Sequence, residues 1–136
     1  MYLALVCLHV FCNLVWIGSV TGVGFLLHQG AAEWARKLYS SVAQWAFGGS
    51  FAAGVAIVAL DTPSYMKAHW FHGKLTFALG AIALHHVLGA KAKRAAKSDQ
   101  SGSRQTGGQG AMLTGAFLLC AALAVVFVIF KQSLVH

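Results

Sequence analysis

The sequence predicts an all-α integral membrane protein, a four-helix bundle in which each helix crosses the bilayer. Of its 136 residues, 58% are hydrophobic and only 10% are charged, where a soluble domain carries about 25% charged residues. A chain this short cannot hide so much apolar surface from water. Apart from Lys74, the charges also fall between long apolar runs, each of which can cover a hydrocarbon core of about 30 Å with about 20 helical residues. These observations exclude a soluble enzyme, and one Pro beside 15 Gly excludes collagen-like or Pro-rich disorder.

The first run spans about residues 2–27, and the first formally charged residue is Glu33. It lacks a basic leader and exceeds the roughly 7–15 apolar residues of a cleaved signal peptide, so it is expected to remain as a membrane helix. The second, about 38–60, stops at the turn signal Asp61-Thr62-Pro63. The third, about 69–90, contains a single charge, Lys74, and the fourth, about 111–130, ends at Lys131. Together they make residues 1–136 one transmembrane domain. Between the last two spans, residues 91–110 read KAKRAAKSDQSGSRQTGGQG, basic and then rich in Ser, Gly and Gln. That composition predicts a flexible loop.

The formal charge of +7 sorts by side. Arg36, Lys37, Lys91, Lys93, Arg94, Lys97 and Arg104 fall in the first and third loops, while Lys67 and Lys131 fall on the other side. By the positive-inside rule both termini face outward, to the periplasm if the membrane is a bacterial inner membrane. The bilayer is the expected partner; no nucleic-acid-binding motif accompanies the basic residues. Cys7, Cys12 and Cys120 lie in apolar stretches without a CxxC pair and read as small hydrophobes. Gly18 and Gly22 stand at the small-xxx-small spacing that lets helix backbones approach closely.

Seven histidines are the chemical excess. Ionisable groups within a membrane are costly and mark functional sites by default. His9 falls about two turns into the first span and His72 about one turn into the parallel third span. Two imidazoles at one depth suit the two faces of a haem iron or a copper ion; the alternative is that each only hydrogen-bonds between helices. His72 and His86, fourteen residues apart, share a helix face at about 21 Å, a spacing that admits a second haem. The partner pair His9 and His28 falls on different faces, which favours one haem. Lys74 either snorkels to the surface or serves as a cation for a carboxylate such as a porphyrin propionate. Trp16 is placed to flank a porphyrin, whereas Trp34 and Trp70 read as interfacial belt residues.

The stretch Trp70-Phe71-His72-Gly73-Lys74-Leu75, followed by Leu84-His85-His86-Val87-Leu88-Gly89 and a basic run, resembles the signature region of HemJ-type protoporphyrinogen IX oxidases. His9 with Trp16-Ile17-Gly18 and His28 resembles that family's first helix, and Lys37-Leu38-Tyr39 the start of its second. The likeness covers spans one to three, and CopD-type copper-resistance domains share a related pattern. It departs from the family at residues 23–27, where an Arg is usual, and at Trp45 and Phe47, which stand near a customary Pro and Met. The resemblance implies a bacterial inner-membrane protein that binds haem b. It implies oxidation of protoporphyrinogen IX to protoporphyrin IX, with electrons passed to a quinone or the respiratory chain. His9, His72, Lys74 and His86 match the family's polar residues. On this reading His9 and His72 ligate the metal, Trp16 flanks the porphyrin, and Lys74 and His86 take part in the chemistry. The rival expectations are a CopD-like copper-handling protein and a non-catalytic haem-binding subunit of a membrane complex or homo-oligomer.

Overall fold

The computed structural model describes residues 1–100 and 108–130, and within them the chain is helical almost throughout. Helix α1 covers Tyr2–His28, and α2 covers Ala32–Leu38. A π-helical turn, Tyr39–Ala43, joins α2 to α3, Gln44–Leu60. A short α4, Thr62–Lys67, leads into α5, His69–Gln100, and α6 covers Gly108–Ile129. Among the described residues four stretches are long and apolar enough to cross a membrane: Tyr2–His28, Ala32–Leu60, His69–Asp99 and Gly110–Ile129.

The turns are written in local chemistry. Gly30 adopts φ +75°, a conformation glycine takes without penalty, just past the end of α1. The Ala31 amide then donates to the Leu26 carbonyl at 2.8 Å and the Gly30 amide to Leu27 at 3.2 Å, closing a Schellman motif. At the other end Asp61 does more than mark a turn. Its carboxylate accepts from the Ser64 amide at 3.4 Å, and Pro63 lies in the first turn, so the segment forms α4.

Two boundaries differ from the sequence expectation. The second span begins at Ala32, not Leu38, because α2 turns Ala32 and Ala35 inward while Arg36 pairs with Glu33 at 2.6 Å on the outside. The third span does not stop at residue 90. Residues 91–100, expected as flexible loop, continue α5. Their Ala, Lys and Arg are good helix formers, and Ala92 and Ala96 are buried where α5 meets α2. Residues 101–107, Lys131 and His136 lie outside the described residues.

The helices run alternately up and down. α5 packs most extensively on α6, and α1 on α3 and α6. Without a hydrophobic drive between helices in lipid, close packing and small residues hold such a bundle. A Cβ on Gly24 would run into Thr114, one on Gly73 into the Phe127 ring, and one on Gly89 into the Tyr39 ring. Gly18, singled out by its spacing, has open space beside it. Large apolar side chains such as Phe11, Leu14, Trp45, Leu79 and Leu119 point away from the bundle, as lipid contact requires.

Candidate functional site

The inward face of α1 carries His9, Asn13, Trp16 and Val20, at the i, i+4, i+7, i+11 repeat of one helical stripe. The inward face of α5 carries Lys74, Ala81, His85, Leu88 and Ala92. With a rise of about 1.5 Å per residue, His9 and Lys74 sit at similar depth near the Tyr2 end of the bundle. Trp16 and His85 lie level with each other, more than 10 Å (roughly) deeper. The polar side chains therefore divide into two tiers.

The deeper tier is closed. His85 is fully buried. The Trp16 indole N–H donates to its Nδ1 at 3.2 Å, so the neutral ring carries its proton on Nε2, which faces the Tyr39 hydroxyl at 3.4 Å. The Tyr39 ring lies 4.9 Å from the imidazole and the Phe47 ring 5.0 Å. The π-helical turn that begins at Tyr39 brings this tyrosine onto α5, and Gly89 leaves the space its ring occupies. Such turns recur at functional positions in membrane and soluble helices alike.

The shallower tier is open. His9 donates from Nδ1 to the Ser50 carbonyl at 2.8 Å, and Asn13 donates its amide to His9 Nε2 at 3.0 Å. Gly54 faces the imidazole edge: a Cβ there would sit 3.1 Å from His9 Cε1. Lys74 is half-buried and stands within electrostatic range of His9. Among the described residues the ion pairs all belong to Glu33, so no carboxylate neutralises Lys74. At this level α3 rests on α1 and has almost no contact with α5, whereas α2 packs firmly on α5 at the basic end.

The remaining sequence candidates are peripheral. His72 is exposed, and its Nε2–H donates to the Met66 carbonyl at 2.9 Å. His86 is exposed too, its ring 5.0 Å from His85 and 5.7 Å from Phe47. The two share a face as the fourteen-residue spacing requires, but it is not the buried face. No contact joins His9 to His72, and Trp16 serves His85 through its N–H. Sequence reasoning quoted His85 and Tyr39 within the family-like stretches but gave them no role, and it passed over Asn13 and Ser50. The stripe Ala81, His85, Leu88, Ala92 carried the signal for His85, and Asn13 stands one turn from His9.

His9 is the side chain of this arrangement best suited to a metal. His9 has the form of a metal-binding histidine, one nitrogen tied to a backbone carbonyl and the other held only by a side chain on its own helix. Among the described residues no three His, Cys, Asp or Glu side chains gather into a metal cage. No protein-family model matches this chain, and neither a curated protein nor a solved structure matches it at a significant level.

Proposed function

We propose that this chain is a haem b-binding redox protein of a bacterial inner membrane, with protoporphyrinogen IX oxidation, the electrons passing to a quinone or the respiratory chain, as the activity its HemJ-like residues imply. The observation that carries the reading is the His9 site. The Ser50 carbonyl fixes the ring with its proton on Nδ1, and an unneutralised Lys74 lies at the same depth. The donor set fits haem, which needs one or two protein ligands, better than a copper cage, which needs several soft or imidazole ligands. Met1, Met66 and Met112 are exposed, and Met66 meets His72 through its backbone carbonyl.

Haem, when bound, supplies a one-electron carrier whose potential follows its axial ligands and surroundings. His9 would hold it on release of the Asn13 amide. His72, also tied to a backbone carbonyl through one nitrogen, would offer the second ligand. Lys74 would pair with a propionate of haem or of porphyrin substrate; His86, the proton acceptor the resemblance implies, would act from the exposed face of α5 at the level of His85. Trp16 orients His85 and so shapes the floor beneath this site. The excess of basic residues at one end of the bundle favours a cytoplasmic position for that end, with both termini in the periplasm.

The test is a reduced-minus-oxidised spectrum of the purified protein and of His9→Ala, His72→Ala and His86→Ala. Wild type should show haem b bands, lost in the first two variants and retained in the third, whose porphyrinogen oxidation should fall. A wild-type protein without Soret absorbance after haem supplementation would overturn the proposal.

A further inference from the structure

Helix α5 is too long for its membrane. Its 32 residues extend to about 48 Å, against a hydrocarbon core of about 30 Å. The excess lies at the basic end, where α5 carries Lys91, Lys93, Arg94 and Lys97. This extension is not a free tail. Ala92 is fully buried and Ala96 nearly so, so the helix is clamped along α2 and its basic side chains are held at the level of the span ends.

Across from it, α2 presents Arg36 and Lys37, both bonded to Glu33, at 2.6 Å and 3.9 Å. The Lys37 ammonium also lies 5.2 Å from the centre of the exposed Trp34 ring. Lys93 stands 5.7 Å from the centre of the Tyr39 ring. Arg94 and Lys97 are exposed, and Asp99 is the one acidic residue on the extension. At this end six basic residues, Arg36, Lys37, Lys91, Lys93, Arg94 and Lys97, meet two acidic ones. The opposite end offers, among the described residues outside the spans, only Lys67 and Asp61. An exposed Trp beside a rigid basic surface at the membrane boundary combines an interfacial anchor with a phosphate-binding face.

We infer that the step formed by α2 and the extension of α5 binds the headgroups of anionic phospholipids. The occupant is a phosphodiester lipid with net negative charge. Its phosphate meets Arg94 and Lys97, and its acyl chains continue along the apolar spans. Guanidinium and ammonium groups both suit phosphate, the former through two parallel hydrogen bonds.

The full chain, purified in a neutral detergent, is titrated with phosphatidylglycerol and in parallel with phosphatidylcholine, inorganic phosphate and a short RNA. Retained lipid is counted by native mass spectrometry and thermal stability is followed. Phosphatidylglycerol alone should be retained and raise the melting temperature. Arg94→Gln/Lys97→Gln should weaken its binding about thirtyfold, and Lys67→Gln at the other end should leave it unchanged. Equal retention of phosphatidylcholine, an equal effect of inorganic phosphate or RNA, or undiminished binding by the double variant would overturn the inference. Should the double variant fail to fold, the wild-type lipid series at low and high salt decides: retention that does not fall with salt overturns it equally.

Discussion

The two histidine tiers differ in what surrounds them, and the difference separates structure from chemistry. At the deeper tier His85 is sealed by aromatic rings, with an indole N–H on one nitrogen and a phenol oxygen at the other. At the shallower tier His9 is half-buried, one of its nitrogens rests on a side chain of its own helix, and a cation without a carboxylate stands nearby. A buried polar group whose partners are all present costs little to keep, and its removal strands those partners. A site that must admit a ligand keeps a bond that can be exchanged. His85 therefore reads as a keystone of the bundle, and His9 is the working residue on the function proposed above.

The strongest way to break this contrast is His85→Ala. It should destabilise the bundle by about 3–5 kcal/mol, combining a cavity with a stranded Trp16 N–H and Tyr39 hydroxyl. Equilibrium unfolding in mixed detergent micelles measures the loss. A His85→Ala protein that unfolds like wild type but no longer retains haem would reverse the two roles.

Gly89→Ala tests the same tier from its neighbour. The added methyl meets the Tyr39 ring, which the π-helical turn and its contact with His85 hold in place. Overpacking of this kind costs about 1–3 kcal/mol. Gly18→Ala, beside open space, should cost nothing measurable in the same assay. The pair of variants shows whether glycine spacing or actual approach decides packing here.

These two glycines also show how far the sequence could be read. The four spans were legible because lipid leaves a coarse signal: long runs without charge, broken where the chain returns to water. The basic end of α5 was not legible. KAKRAAK looks like a solvated loop until α5 packs on α2 and its two alanines, Ala92 and Ala96, are buried. Likewise, His9 and Lys74 were found because a charge or imidazole inside an apolar run is conspicuous on its own. His85 was not, because the His72–His86 spacing of fourteen picked the neighbouring residue, one position and about 100° around the helix. Facing depends on which stripe is buried, and that is settled by partner helices.

Tyr39→Phe probes the deeper tier with a smaller change. It removes the oxygen that faces His85 Nε2 and keeps the ring, so the loss should be about 1 kcal/mol. The 3.4 Å separation places the bond at the weak end of that class. A loss as large as that of His85→Ala would mean that Tyr39 reaches further into the network than this one bond.

Lys74→Met should change stability least, by no more than about 0.5 kcal/mol in either direction. Methionine keeps much of the apolar stem that packs in the span, and it removes an ammonium that must otherwise be hydrated or drawn toward the surface. No carboxylate partner is stranded by the change. Haem retention should nevertheless weaken about tenfold, the loss of one charge-assisted hydrogen bond of about 1.5 kcal/mol. Titration of haem into the purified variant measures it. Near-unchanged stability with weakened ligand binding at one residue distinguishes a working cation from a structural one. If Lys74→Met instead unfolds the protein and its remaining folded fraction binds haem normally, the shallower tier is as structural as the deeper, and the contrast between them falls.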